Sequence, residues 1–331
     1  MCHDFQKSDK CPSRNTLGLY LDRSNLRDIP NIGLGTWRSD GEWDAHAVKF
    51  ALDHGYTHVD AAHIYHNEEY TGKGIAEAKL NRSDIWVTSK LWNSDHRPDN
   101  VEPAIRRSLT DLGLDFLDLY LMHWPVAFVP EQGSELDRST TIIDTWRAME
   151  DLVRANLTRF IGVSNFSRRN LNEILSICDI CPHAHEFETH PYLQQQEFVN
   201  YHMDIGIKVI AYSPLGNTNP IYNGHHAGLP ALLEDPFWKD LAAKKNATVA
   251  QLVLAWGMQR GTVVIPKSVH NEHILENIGA KGIKFDSIEM HSIRLQDKKA
   301  RMNNPSNDWG VQLFADLDDH VNYDGGKGQE L

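Results

Sequence analysis

The sequence lacks any long apolar segment. None of its apolar runs approaches the roughly eighteen residues of a membrane-spanning helix. The first seventeen residues, MCHDFQKSDKCPSRNTL, contain neither the apolar core nor the small-residue cleavage site of a secretory signal. The sequence therefore predicts a cytoplasmic protein that has no membrane partner.

Positive charge is also scarce. Lys and Arg number 33 against 45 Asp and Glu, which gives a formal net charge of −12 at pH 7. Proteins that bind nucleic acid or an anionic membrane through charge usually carry the opposite excess. The composition therefore disfavours nucleic acid as a partner, and we expect a small molecule instead.

Cysteine is rare, with Cys2 and Cys11 near the N-terminus and Cys178 and Cys181 far along the chain. Two distant pairs do not form the framework of a disulfide-rich secreted domain, and they are typical of a reducing compartment. Cys178 and Cys181 make a C-x-x-C. Without a second pair or a thioredoxin-like context, this favours two cysteines on a helix face over a redox or metal site.

Eight short apolar or β-branched runs recur along the chain, and helical patterns lie between them. This alternation is the signature of β/α units around a parallel sheet. By length alone, 331 residues fit either two domains or one large barrel. The predicted strands are 31–36, 57–62, 85–91, 117–123, 159–164, 186–190, 208–213 and 262–267.

The turn after the first predicted strand distinguishes an open sheet from a barrel. An open doubly wound sheet would usually show a G-x-G-x-x-G pattern there, and the sequence G-L-G-T-W at 33–37 is not one. Eight units without this pattern favour an α/β fold with a single (β/α)8 TIM barrel. The predicted helices include 43–54, 100–112, 142–154, 171–177 and 249–259.

The chain on either side of the barrel has its own pattern. Residues 1–15 are expected to form a flexible tail, and 16–331 a single domain. Two apolar segments, 17–21 and 26–32, flank a polar turn and predict a β-hairpin that plugs the bottom of the barrel. Residues from about 298 to 331, rich in Asn, Asp and Gly, predict a long C-terminal loop over the top.

Four polar side chains follow successive predicted strands. Asp60 and Tyr65 follow the second strand, Lys90 ends the third, and His123 ends the fourth. Each alone has an ordinary structural explanation, such as a helix cap, a surface charge or a core histidine. Because the working residues of such barrels lie at the carboxyl ends of the strands, four at neighbouring ends indicate a catalytic site.

These four groups fit the reduction of a carbonyl group. The carbonyl oxygen needs a proton donor, and Tyr65 is a weak acid whose unperturbed pKa is about 10. A cation at Lys90 would lower that pKa because it favours the phenolate. Asp60 would hold Lys90 in place, and His123 would orient the substrate oxygen.

Three motifs in one order carry a resemblance to a known family. They are D-A-A-H-I-Y at 60–65, T-S-K-L-W at 88–92 and L-M-H-W-P at 121–125. From residue 33 to about 277 the sequence resembles the aldo-keto reductases, including the aldose reductase-like members. The resemblance implies a (β/α)8 barrel and NAD(P)H-dependent reduction of a small aldehyde, ketone or sugar. It also implies a catalytic tetrad with Tyr65 as general acid: Asp60, Tyr65, Lys90 and His123.

The resemblance further implies a nicotinamide cofactor, with NADPH as the first candidate. Ser164 and Asn165 would hold the carboxamide, and the flat ring of Tyr212 would stack on the nicotinamide. The loop after Tyr212 would cover the pyrophosphate, and residues 267–268 would bind the 2′-phosphate. The implied cofactor residues are Thr36, Trp37, Ser164, Asn165, Glu186, Tyr212, Ser213, Leu215, Asn217, Lys267, Ser268, His273, Glu276 and Asn277.

The sequence departs from the family pattern at two functional positions. Glu186 stands where a glutamine usually contacts the carboxamide, with His185 where an asparagine is common. A carboxylate accepts a hydrogen bond but cannot donate one. His273 stands where an arginine commonly supports the 2′-phosphate, and a neutral histidine has neither its permanent charge nor its two-pronged geometry. NADH is therefore a second candidate.

The substrate is less specified than the cofactor. Trp37, Trp92 and Trp124 lie beside strand ends and are expected to form aromatic walls around a small carbonyl compound. Loops over the barrel, at 126–141, 217–233 and 298–319, would set the specificity. Taken together, the motifs favour a fungal-type sugar-aldehyde or glyceraldehyde reductase.

Two other functional classes stay open. A barrel of this family can bind the cofactor as a regulatory or redox-sensing protein with little turnover, although a complete tetrad argues against this. A metal-dependent hydrolase could use His183 and His185, but the pair precedes a strand instead of ending one. We therefore expect no metal, a small-molecule carbonyl partner, and a monomer or homodimer.

Overall fold

The computed structural model describes residues 28–216, 218, 228–314 and 316–317. The predicted tail at 1–15 and most of the predicted hairpin at 17–32 lie outside these residues. Both stay predictions, as does the domain boundary at residue 16.

Eight parallel strands form one sheet in which each strand pairs with the next along the chain. The sheet closes on itself because Ile32 pairs with Val264, and Gly35 with Lys267. All eight predicted strands and the (β/α)8 barrel are confirmed. The strands are β1 (Leu34–Gly35), β2 (His58–Asp60), β3 (Trp86–Leu91), β4 (Leu117–Met122), β5 (Thr158–Ser164), β6 (Ala184–Glu188), β7 (Lys208–Tyr212) and β8 (Val263–Val264).

Helices alternate with the strands. In the described part of the chain they are α1 (Gly41–Asp53), α2 (Glu68–Glu77), α3 (Pro98–Leu112), α4 (Ile142–Arg154), α5 (Arg168–Leu175), α6 (Gln196–Ile205), α7 (Pro236–Lys245), α8 (Val249–Gln259), α9 (Asn271–Ile278), α10 (Ser287–Arg294) and α11 (Ser306–Trp309). Both α4 and α8 match their predicted bounds, and each begins with a capping box, Thr141 with Asp144 and Thr248 with Gln251. Among these described helices, none has the length and apolar character to span a bilayer.

The core has two layers that follow from the two-residue period of a strand. Along β4, Leu119 and Leu121 belong to a cluster that also takes side chains from the other central strands and fills the barrel. Tyr120 and Met122 point the other way, into the cluster shared with the helices. The barrel is therefore a packed core, and room for a ligand remains only at its ends.

Aromatic rings fill the amino end of the barrel. Trp86 stacks on Phe160 with ring centroids 5.6 Å apart, and His183 stacks on Phe160 at 4.1 Å. His185, on β6, is buried and lies 2.8 Å from a ring nitrogen of His202. The two histidines of the metal-hydrolase alternative thus have separate surroundings: His183 stacks on Phe160, whereas His185 contacts His202 of α6 and accepts the backbone N–H of Phe166.

The prediction for Cys178 and Cys181 was wrong. Helix α5 ends at Leu175 instead of 177, so both cysteines lie in the turn before β6, and they are joined by a disulfide. The carboxylate of Glu150 accepts the backbone N–H groups of Asp179 and Ile180 at 2.7 and 2.9 Å. This fixes the turn and brings the two cysteine Cα atoms to 5.1 Å.

Candidate active site

The carboxyl ends of the strands surround a cavity of about 570 Å³, a size that is usual for small-ligand sites. Three residues of the predicted tetrad line it: Asp60 at the end of β2, Tyr65 in the helical turn His63–Tyr65, and His123 after β4. Lys90, on β3, lies beneath them with no exposed surface. The structure therefore brings all four predicted side chains to one end of the barrel.

Lys90 is the centre of the polar contacts below the cavity. Its Nζ lies 2.5 Å from Oδ1 of Asp60 and donates to the carbonyl oxygen of Ala61 at 3.0 Å. The same nitrogen lies 3.5 Å from the Tyr65 hydroxyl and 3.4 Å from Oε1 of Glu186. Glu186, on β6, thus joins the tetrad directly, which the sequence reasoning did not foresee.

The charges around Lys90 keep it protonated. Burial alone would lower the pKa of Lys90, but the carboxyl groups beside it, Asp60 first and then Glu186, outweigh burial and hold that pKa above its ordinary value. The expected lowering of the Tyr65 pKa was wrong in its net direction. Burial raises the pKa of Tyr65 above its ordinary value, and the charge of Lys90 offsets only part of this rise.

His123 is neutral in this site. Burial first, and then the positive charge of Lys90, hold the pKa of His123 well below its ordinary value. Its Nδ1 is buried without a hydrogen-bond partner, and its ring lies 5.9 Å from the ring of Tyr65. A neutral imidazole at this position can still donate one hydrogen bond to a ligand.

Asn165 and Tyr212 form a hydrogen-bonded wall of the cavity. Asn165 has a left-handed backbone (φ 60°) directly after β5, which turns its side chain so that Nδ2 donates to the carbonyl oxygen of His123 at 3.0 Å. The Tyr212 hydroxyl donates to Oδ1 of Asn165 at 2.7 Å. Ser164 is fully buried beside them, and its Oγ accepts from Asn165 Nδ2 at 3.0 Å. The wall therefore presents a fixed aromatic ring to the cavity.

The predicted tryptophans also line the cavity, together with Trp309 of the C-terminal segment, a residue that the sequence analysis did not name. Trp37, Trp92 and Trp124 are all lining residues. The ring of Trp309, in α11, lies 5.0 Å from Trp124 and 6.4 Å from Trp92. An aromatic residue within the polar segment after 298 is the signal that could have identified Trp309.

A second set of residues, which we call the rim cluster, attaches that segment to the barrel: Glu188, His190, Arg301, Met302 and Asn303. The carboxylate of Glu188 accepts a hydrogen bond from His190 Nε2 and from the backbone N–H groups of Met302 and Asn303, each at 2.8 Å. Burial would raise the pKa of Glu188, but His190, together with the charge of Arg301 and the backbone of Asn303, outweighs it and holds that pKa below its ordinary value.

The remaining predicted cofactor residues extend away from the tetrad. Thr36, Ser213, Leu215 and Lys267 line the cavity, whereas Asn217 lies outside the described residues. Ser268 follows Lys267, and its Oγ accepts the backbone N–H of His270 at 3.1 Å. Within α9, His273 is exposed, Glu276 is half-buried and Asn277 is buried. Arg38, next to Trp37, is a lining residue that the sequence reasoning missed.

Within the described ranges, one group of side chains has the composition of a metal site. The ligand atoms of His63, Glu68 and Asp111 all lie within 4.8 Å of one another. His63 Nδ1 is 3.6 Å from Glu68 and 4.0 Å from Asp111, and the hydrogen bond to Glu68 raises the pKa of His63. An ion pair explains this group, and it anchors the turn that carries Tyr65.

Comparisons with known proteins agree with this architecture. Residues 31–297 match the model of the aldo/keto reductase family. An uncharacterized oxidoreductase of Schizosaccharomyces pombe is 43% identical over 317 residues, which cover 92% of this chain and 96% of that protein.

Two solved structures show the same fold. The aldo-keto reductase of Bombyx mori, solved in complex with NADP, is 36% identical, with a TM-score of 0.79 over 85% of this chain and 93% of that one. The aldose reductase of Schistosoma japonicum is 36% identical, with a TM-score of 0.80 over 88% and 96%. With its closed eight-stranded barrel and its match over most of the sequence, the chain belongs to the aldo/keto reductase family.

Proposed function

We propose that this protein is an NAD(P)H-dependent reductase of small carbonyl compounds and that Tyr65 is its proton donor. One observation carries the proposal. Tyr65 lines the cavity, and its hydroxyl lies 3.5 Å from a buried ammonium, which a carboxylate holds at 2.5 Å. Such a pairing lowers the cost of forming a phenolate in a buried site.

The cavity has the chemistry that a nicotinamide cofactor requires. The flat face of Tyr212 suits an aromatic ring, and the positive charges of Lys267 and Arg38, which also line the cavity, suit phosphate groups. The Bombyx mori relative, solved with NADP, supports the same choice. When bound, the reduced cofactor supplies the hydride.

The protein's own side chains handle the carbonyl oxygen. His123, which is neutral because its pKa is lowered, donates a hydrogen bond that orients the oxygen. Tyr65 keeps its proton at neutral pH because burial raises its pKa, and it transfers this proton to the oxygen as negative charge develops there. Lys90 then faces the phenolate, and Asp60 keeps Lys90 in place.

Substrate and cofactor preference form the finer part of the proposal. The aromatic side chains of Trp37, Trp92, Trp124 and Trp309 favour a small carbonyl compound, in the class of sugar aldehydes and glyceraldehyde. The hydrogen bonds of Glu188 to residues 302 and 303 support a C-terminal segment that covers the top of the barrel. NADPH is the preferred cofactor, and the exposed His273, which lacks the permanent charge of an arginine, permits use of NADH.

An assay of cofactor oxidation tests the proposal. Aldehydes, ketones and sugars are offered with NADPH and NADH in parallel, and we expect turnover of at least one small carbonyl compound. Tyr65→Phe should lower kcat by about 10²–10⁴-fold because the proton donor is lost, while the Kd of the cofactor should change little. Tyr70→Phe, in α2 and away from the cavity, is the matched control. Tight cofactor binding without turnover of any carbonyl compound, or full activity of Tyr65→Phe, would contradict the proposal.

A further inference from the structure

Three buried ionisable side chains, which we call the floor cluster, lie under the cavity: Asp60, Lys90 and Glu186. Their relative exposures are 2%, 0% and 2%. Two carboxyl groups therefore share one ammonium group. If all three were ionised, the cluster would hold a net negative charge away from water, which is strongly unfavourable.

The hydrogen bonds of the floor cluster leave two carboxyl oxygen atoms without a partner. Oδ2 of Asp60 and Oε2 of Glu186 are both buried and have no hydrogen-bond donor. A hydrogen bond with Asp60 is among the causes that raise the pKa of Glu186. A proton on one of the two carboxyl groups would provide the donor that these buried polar groups lack.

Distances assign this proton to Glu186. Lys90 Nζ lies 2.5 Å from Asp60 but 3.4 Å from Glu186, so the ammonium stabilises the charge of Asp60 more strongly. The other titratable side chains that line the cavity or interact with the cluster are Arg38, His58, Tyr65, His123, Tyr212 and Lys267. Burial holds the pKa of His58 and of His123 below the ordinary value, so neither supplies the missing positive charge.

We propose that Glu186 stays protonated at neutral pH and donates a hydrogen bond to Asp60, and that loss of its proton at alkaline pH slows the reduction. The second half rests on the proposed function of Tyr65, whereas the first half does not. Glu186 acts here through Lys90 and Tyr65 as a positioning residue. Its protonated carboxyl group is uncharged, as an amide would be, but unlike an amide it can ionise.

The direction of each effect follows from burial and charge. Burial first, and then the charge of Asp60, raise the pKa of Glu186 well above its ordinary value, against the opposing charge of Lys90. A negative charge on Glu186 adds to the rise in the Tyr65 pKa. Once Glu186 has ionised, Tyr65 is therefore a weaker proton donor, and turnover falls.

The first half is tested by stability, without any substrate. In the unfolded chain Glu186 ionises near its ordinary pKa of about 4.3, whereas the folded protein keeps the proton. The native protein therefore loses stability as pH rises above that value, until Glu186 ionises in the folded state as well. Glu186→Gln has no such loss, so its gain in Tm over the wild type should grow from about pH 5 to about pH 8.

Glu188→Gln is the matched control for this measurement. It makes the same substitution two residues further along β6, but the pKa of Glu188 is lowered instead of raised. Its Tm should therefore lie below that of the wild type by a nearly constant amount from about pH 5 to about pH 8, because this carboxyl group is ionised in both the folded and the unfolded state over that range. The proposal is overturned if the Tm difference between Glu186→Gln and the wild type stays constant over this range, as that of Glu188→Gln should, or if it shifts against the variant as pH rises.

The second half is tested by the pH dependence of kcat with saturating cofactor. Between about pH 7 and pH 10 we expect the wild type to lose activity severalfold more than Glu186→Gln does. Identical pH profiles would overturn this half. If the wild type reduces no carbonyl compound at all, the proposed function fails, but the stability measurement still decides whether Glu186 holds the proton.

Discussion

Two glutamates on β6 show how differently the same group behaves in the floor and rim clusters. Glu186 and Glu188 are both buried. Three hydrogen bonds reach the carboxylate of Glu188, from His190 and from the backbone of residues 302 and 303. Oε1 of Glu186 lies 3.4 Å from Lys90 Nζ, and its Oε2 has no donor.

This difference in donors gives the two residues opposite pKa shifts. Hydrogen bonds from neutral or cationic donors favour the charged form of a carboxyl group, whereas burial without them favours the neutral form. Glu188 is therefore a structural anion that attaches the C-terminal segment. In the floor cluster, by contrast, two buried carboxyl oxygens lack a hydrogen-bond donor, and such unsatisfied groups are common at functional sites.

Removing the cation from the floor cluster should have the largest effect. Lys90→Met leaves two buried carboxyl groups without their ammonium, and loss of one partner of a buried ion pair costs about 3–5 kcal/mol in unfolding free energy. We also expect kcat to fall by orders of magnitude, because the phenolate of Tyr65 loses its stabilising charge. Urea unfolding and steady-state kinetics measure the two effects.

Lys49→Met provides the surface control for that experiment. Lys49 pairs with Asp53 within α1, and its side chain is 37% exposed. Exposed pairs of this kind contribute about 0.3–0.5 kcal/mol. If Lys90→Met is no less stable than Lys49→Met, Lys90 does not hold the floor cluster together.

An intermediate effect is expected in the rim cluster. Glu188→Gln should cost about 1–3 kcal/mol at neutral pH, because an amide cannot accept all the hydrogen bonds that reach this carboxylate. The pKa of Glu188 is lowered, so its contribution is present above its unfolded pKa of about 4.3 and is lost as pH falls through the folded value. Urea unfolding at pH 7 and near pH 3 should show the loss at the first pH and little at the second. An equal loss at both would mean that the carboxylate charge is not what matters.

The smallest effect is expected outside both clusters, at the exposed His273. His273→Arg should lower the KM for NADPH by about three- to tenfold, since arginine adds a permanent charge and a two-pronged donor for a phosphate. The KM for NADH and the pH profile of kcat should change little. His291→Arg, at an exposed position in α10, is the control. A similar drop in the KM for NADH would mean that His273 does not face the 2′-phosphate.

The sequence alone was sufficient for most of the fold. The eight strands were predicted because apolar runs separated by helical patterns leave few other arrangements. The bounds of α4 and α8 agree with the prediction, and the structure shows that Thr141 and Thr248 start these helices with local capping boxes. The disulfide was missed because α5 ends two residues before the predicted end, and the turn that follows is held by Glu150, which is remote in sequence.

The site was predicted in its residues but not in its energetics. The sequence led to the expectation of a lowered pKa for Tyr65 because only the charge of Lys90 was considered. Burial and the carboxyl groups of Asp60 and Glu186 raise that pKa. Contacts of Trp309 and Asn303 with the site depend on the path of the C-terminal segment, which no local pattern encodes. The role of Glu186 likewise depends on its distance from Lys90, across the barrel.

Infrared difference spectroscopy at neutral pH tests the central contrast most directly, because a protonated carboxyl group has a C=O stretch distinct from that of a carboxylate. Subtracting the Glu186→Gln spectrum from the wild type also removes the signal of other buried acids such as Asp44, whose pKa burial raises to about 7. We predict a carboxylic-acid band in this difference spectrum and a carboxylate band alone in the corresponding one for Glu188→Gln. A carboxylate band without a carboxylic-acid band for Glu186 would contradict the account.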